Sequence, residues 1–260
     1  MRSHRAWAGV ALALSFVAAA SADDVTIVYN LTENGQPKGT ATQYVSSQKL
    51  RMSNPDNDVI IEYGSGRLVS VDHKKKEYWE TTRDEMNAQL AQMNARMEEQ
   101  QKKMQESMAN LPPAMREKMG NMMGAMAAQV TVTPGPGTKK IAGYDTKQYT
   151  ISMGEMMKQE TWNTESIAFP TPAIDARNSM MSLNNPMMSG AKDLVEKMKQ
   201  VKGIPLSETT TVKVITKTVT TTREATSVKT GAIDPSVFAL PAGYKKVESP
   251  LAKMAKSSPK

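Results

Sequence analysis

The spacing of the apolar residues changes once, at Thr82, and no single type of secondary structure satisfies both sides of the change. Before it, Val25, Ile27, Tyr29 and Leu31 share one parity and Thr26, Asn30 and Thr32 the other, the alternation of a strand with one apolar face. Glu33-Asn34-Gly35-Gln36 then reads as a hairpin turn, Asn-Gly being the strongest short-range signal of that kind. Further strands are predicted at 40–46, 49–53, 59–63, 67–72 and 76–81. Their separators, such as Gly64-Ser65-Gly66, are only a few residues long, which favours an antiparallel meander over crossover connections.

After Thr82 the chain has almost no β-branched residue as far as Ala128, and its apolar side chains recur at helical intervals. They are Met86, Leu90, Met93, Met97, Met104, Met108, Leu111, Met115, Met119, Met122 and Met126. Thr82 or Asp84 can cap the N-terminus, and Pro112-Pro113 divides the segment into a helix of about 27 residues and a shorter one. Strand character then returns. Thr133 to Gly137 reads as a loop, 139–142 and 145–153 as a hairpin about Gly143, and 156–164 as a strand carrying Trp162. A loosely helical piece follows over 174–201, broken at Asn184-Asn185-Pro186. The Thr- and Val-rich stretch 204–231 switches parity between Val214 and Thr218, which implies two long strands. Asp234-Pro235-Ser236 starts a turn, Phe238 is expected to anchor inward, and residues 248–260 read as a disordered tail. The class implied is α+β: one domain over 23–247 with a helical insertion at about 83–128.

The first 22 residues stand apart. Arg2, His4 and Arg5 precede the apolar run Trp7 to Ala20, and Ala20-Ser21-Ala22 offers small residues for cleavage, the three parts of a secretory leader. Cleavage after Ala22 and a periplasmic or secreted location are expected, with no later run long enough to span a membrane. Cleavage would leave His73 as the sole imidazole, and the chain has no Cys. Disulfides, thiolate metal sites, Cys nucleophiles and multi-His zinc sites are therefore excluded, and enzyme chemistry is disfavoured.

Three patches carry a family resemblance. They are Gln48-Lys49-Leu50-Arg51-Met52 followed by Asp58 to Tyr78, Lys140 to Thr146 leading to Glu160-Thr161-Trp162, and Phe238-Ala239-Leu240-Pro241-Ala242-Gly243-Tyr244. Together they resemble the secreted bacterial proteins that carry a domain of unknown function and are similar in architecture to the lipoprotein carriers LolA and LolB. The resemblance covers roughly 24–82 and 139–247 and leaves the Met-rich insertion outside. It implies a curved antiparallel sheet, an incomplete barrel, closed over by helices with an apolar cavity between. No lipoprotein-binding residue is carried over from it.

Of the 21 methionines, ten fall between Met86 and Met126. Unbranched, polarizable side chains repack around partners of varied shape, so such a stripe suits an apolar ligand; it equally suits ordinary core or a helix–helix seam. Thioethers also suit Cu(I), for which Met119, Met122, Met123 and Met126, or Met153, Met156 and Met157, are candidates. Other motifs are weaker. Lys74-Lys75-Lys76 reads as a solvated hairpin tip rather than a nucleic-acid patch, although anionic lipid would attract it. His73 in that turn reads as a surface residue. Asn54, Asp56 and Asp58 begin like a calcium loop, but Val59 stands where Gly is needed and Ser65 where Glu is needed.

The leading expectation is a non-enzymatic binding or carrier module for a lipid or acylated peptide, without a cofactor. Met86, Met93, Met97, Met104 and Met108 would line a moving wall, and Trp79, Trp162 and Phe238 a fixed one. The alternatives are an envelope protein-interaction or sensing module docking through its long helix, and a periplasmic Cu(I)-binding protein.

Overall fold

The computed structural model describes residues 24–109, 130–176, 197–214 and 217–257. The stretch expected to be a secretory leader and the Met119–Met126 group lie outside them, as does the second helix expected after Pro112-Pro113. Among the described residues, twelve strands form one open sheet in the order β12-β6-β5-β4-β3-β2-β1-β11-β10-β9-β8-β7. The first six are β1 (Val25–Glu33), β2 (Gln36–Val45), β3 (Lys49–Ser53), β4 (Asn57–Glu62), β5 (Arg67–Asp72) and β6 (Glu77–Thr81). They step outward from the centre of the sheet as the expected meander. Helix α1 (Arg83–Ala109) precedes β7 (Val130–Ile141) at the far edge, from which β8 (Tyr144–Met153), β9 (Met157–Thr164), β10 (Ile204–Val214) and β11 (Lys217–Thr230) return to pair with β1. All these pairings are antiparallel; only the two-residue β12 (Lys245–Lys246) runs parallel to its neighbour, β6.

Local chemistry accounts for the turns. Asn34 and Gly35 both have positive φ (50° and 78°), as do Ala142 and Gly143 (48° and 87°), the conformation two-residue hairpins need to match strand twist. The 27 residues of α1 begin at a reciprocal cap. The Glu85 amide donates to the Thr82 hydroxyl at 3.3 Å, and the Thr82 amide donates to the Glu85 carboxylate at 2.9 Å.

In β1–β6 the parity of each strand divides the sheet into two faces. One, the core face, carries Val25, Ile27 and Tyr29, then Val45, Leu50, Ile61 and Leu68, all buried. Its cover among the described residues comes from 165–176. Ile167 joins the Val25–Ile27 cluster, Ala173 and Ala176 join the Val45–Leu50 cluster, and Phe169 packs against both. Helix α1 packs against the C-terminal helix α2 (Pro250–Ser257). On the opposite face, Ile60, Val69 and Val71 are covered by Leu240 and Tyr244 from the stretch that follows β11, here termed the strap.

Three features differ from the sequence reading. Residues 133–137 are not a free loop, since β7 continues through them with a bulge between Pro134 and Thr138. As an edge strand, β7 does not need the amides that proline lacks. Glycine is required there by close approach. A Cβ on Gly137 would lie 2.7 Å from the Trp162 ring, and one on Gly135 would lie 2.5 Å from Gln148 Oε1. Secondly, part of the tail is ordered, because Pro250 opens α2 and the Ser249 hydroxyl accepts the Ala252 amide at 3.1 Å. Thirdly, His73 is not a free surface residue but lies between the sheet and the strap.

The far half of the sheet curls. Lys139 of β7 pairs with Glu224 of β11 at 3.3 Å although three strands intervene, a span of about 19 Å in a flat sheet.

Candidate functional site

On the core face, the strand registers set side chains in rows. One row, Val45–Leu50–Ile61–Leu68–Thr81, is buried from end to end. Two residues along each strand lies the row Gln43–Met52–Val59–Ser70–Trp79, in which Met52, Val59, Ser70 and Trp79 are half-buried. Met52, Val59 and Trp79 pack against the buried row, together with Tyr63. Burial raises the Tyr63 phenol above its ordinary range, and its hydroxyl has no partner among the described residues. The sheet thus presents an apolar ledge beside the edge of its cover.

Next along the strands is the row Asn57–Asp72–Glu77, and here the ledge opens into a pocket of about 430 Å³. Ser70 and Trp79 line one side; Val247, Glu248, Pro250 and Lys253, at the approach to α2 and on it, line another. Lys74 and Lys75 also reach the pocket, each in an exposed ion pair, with Asp56 at 2.7 Å and with Asp72 at 3.2 Å.

The expected wall of aromatic side chains is dispersed. Trp79 belongs to this ledge. Trp162 lies on β9, eight strands further across the sheet, with Lys139 Nζ 4.7 Å from its ring centroid and its indole N–H donating to Glu160 at 3.0 Å. Phe238 ends a 3-10 turn in the strap, beside Val237, whose carbonyl accepts from Arg51 on the face opposite Leu50 and Met52. Of the expected moving wall, Met86 is half-buried in the first turn of α1. Met93, Met97, Met104 and Met108 lie on the same helix, their side chains outside the described set. Met119, Met122, Met123 and Met126 lie outside it altogether. Met153 and Met157 face one another at the β8–β9 hairpin, with Met156 exposed between them. Among the described residues, no group of three or more His, Asp or Glu is placed to hold a metal ion.

A second cluster, on the strap face, was invisible in the sequence. Asp58 is fully buried; its Oδ2 accepts from Arg51 at 2.5 Å and lies 3.1 Å from His73 Nε2. His73 Nδ1 is 3.0 Å from the Tyr244 hydroxyl. An Asp–His–hydroxyl chain has the connectivity of a nucleophile relay. Here, however, the hydroxyl is phenolic, the carboxylate is shared with a guanidinium, and the members bind strap to sheet. Its chemistry is that of a clamp.

No family model matches the chain, and no curated protein does. Among solved structures it is similar to PNGF-II, at 15% identity and a TM-score of 0.42, covering 90% of this chain and 33% of that one. It is also similar to an uncharacterized conserved protein from Thermus thermophilus, at 6% identity and a TM-score of 0.43, covering 88% and 91%. A third, MucB, matches at 10% identity and a TM-score of 0.39, covering 86% and 60%. The chain thus spans a third of the length of PNGF-II and three fifths of MucB.

Proposed function

We propose that the protein is an exported, non-enzymatic module that takes up an apolar ligand, a lipid or acylated peptide, on the ledge formed by Met52, Val59 and Trp79. One observation carries this reading. Three half-buried apolar side chains of the ledge row, Met52, Val59 and Trp79, stand directly beside a fully buried row, and the Trp79 end opens into a pocket large enough for a small ligand group. Uptake is driven by removal of apolar surface from water, at roughly 25 cal/mol per Å². Release follows if the elements around the ledge, residues 165–176 and α2, shift and re-expose it. Met86, close to the start of α1, belongs to the movable side.

Organic extraction of natively purified protein, followed by mass spectrometry, is expected to yield a bound lipid. Delipidated protein is expected to bind a fluorescent fatty acid and to lose most of that affinity on Trp79→Ala. Clean extracts together with no fatty-acid binding overturn the reading.

A second reading has its own support. α1 runs 27 residues, about 40 Å, and most of its described side chains are exposed, as suits a docking arm for an envelope protein. Deletion of residues 84–128 separates the two. A docking arm leaves behind a folded, soluble sheet that still binds the fatty acid, whereas a cover for the ledge leaves one that aggregates.

A further inference from the structure

The ledge ends on a rim of mixed charge. Lys74, Lys75 and Lys253 reach the pocket, and so do Asp56, Asp72, Glu77 and Glu248. A ligand bearing only a carboxylate would meet four carboxylates there, and one bearing only an ammonium would meet three ammoniums. The pairs Lys74–Asp56 and Lys75–Asp72 neutralise one another in exposed positions, where such pairs are weak and exchange readily with other partners. Glu77, at the start of β6, and Lys253, on α2, form no ion pair among the described residues, although both line the same pocket. Trp79 stands beside them as an aromatic surface, which attracts a cation in its own right.

We infer that the amphiphile held here is a zwitterionic phospholipid, its ammonium directed to Glu77 and Trp79, its phosphate to Lys253, and its acyl chain along Val59 and Met52. This rests on the apolar-ligand reading and adds the headgroup to it. The ledge supplies the driving force for uptake. The opposed charges supply selectivity, because a headgroup lacking one charge leaves its counterpart on the rim unmatched.

The test compares three phospholipids with identical acyl chains, one of which is labelled at its tip: phosphatidylethanolamine, phosphatidylcholine and phosphatidylglycerol. The correspondingly labelled fatty acid is the fourth probe, and each is titrated against the full mature chain. Both zwitterionic lipids are expected to bind about tenfold more tightly than phosphatidylglycerol. Glu77→Gln is expected to remove that preference while leaving phosphatidylglycerol affinity unchanged or raised. Lys253→Gln is expected to weaken all three phospholipids but not to reverse their order. Equal affinity for all four probes, or preference for phosphatidylglycerol, overturns the headgroup assignment and leaves the apolar-ligand reading standing. Failure of every probe to bind overturns that reading as well. A preference for zwitterionic lipid that survives Glu77→Gln in folded protein overturns the role of Glu77 and with it the proposed site.

Discussion

Asp58 shows how much of this molecule depends on single buried side chains. Its carboxylate is removed from water on the sheet face opposite the ledge and has a guanidinium and an imidazole for company. Its other oxygen, Oδ1, and the Arg51 Nε have no partner among the described residues, so the pair is incompletely satisfied. Asp58→Asn leaves Arg51 without a counter-charge and is expected to destabilise the protein by about 3 kcal/mol, read by urea unfolding. The double variant Arg51→Met/Asp58→Leu is expected to recover most of that loss, since an apolar pair leaves no buried charge unmatched. A single-variant loss below about 1 kcal/mol would show that the clamp relaxes into solvent. None of this was legible in the sequence. Asp58 stood there as the third member of an incomplete calcium pattern and His73 as part of a lysine-rich turn, because their contact depends on the pairing of β4 with β5 and on the return of Tyr244 from 171 residues away.

Individual elements carry their own determinants. The Thr82–Glu85 cap satisfies two amides at the start of α1, and Thr82→Ala is expected to cost about 1 kcal/mol, with fraying detectable by far-UV circular dichroism. The β4–β6 edge depends on charge. The Lys246 ammonium and the Arg67 guanidinium hold the Glu80 carboxyl below its ordinary value of 4.5, and Lys49, aided by Arg67, does the same for Glu62 against the opposing effect of burial. The folded state therefore binds fewer protons than the unfolded chain in acid. The stability that these groups contribute is complete above the ordinary carboxylate value and is lost as pH falls through their lower folded values. In Glu62→Gln/Glu80→Gln the stability deficit relative to wild type, measured by thermal melts, is expected to be largest near neutrality and to shrink below pH about 4. A deficit constant from neutrality to strong acid would remove these carboxylates from the account. These elements were largely legible in advance: the hairpins from the Asn34-Gly35 turn and the break at Gly143, α1 from its cap and apolar spacing. Strand β7 was not, because Pro-Gly-Pro-Gly reads as a loop until its position at the sheet edge removes the need for paired amides.

At the scale of the whole molecule, the strap ties the centre of the sheet to its β6 side. It leaves β11 where the Gly231 amide donates to the Asp24 carbonyl at 3.0 Å, crosses Ile60, Val69 and Val71, and finishes against β6. Truncation after Gly231 is expected to uncover that apolar patch, giving dye binding typical of exposed hydrophobic surface and a lowered melting temperature. Truncation after Val247 retains the strap and removes α2, so the sheet is expected to stay folded while the pocket beside Trp79 loses a wall. Equal dye binding by the two truncations would show that α2 matters to the fold as much as the strap does.

Alternating apolar residues, turn chemistry and the change of spacing at Thr82 determined the strands of the β1–β6 meander, their antiparallel sense and the position of α1, because these depend on neighbours within a few residues. Only the tertiary structure decided which strands became edges, which face of β1–β6 was buried by residues 165–176 and which by the strap, and that Trp79 and Trp162 stand eight strands apart in the sheet. Those outcomes rest on register and on contacts between residues distant in the chain. Parity shows which side chains share a face, but it does not show what the rest of the chain places against it.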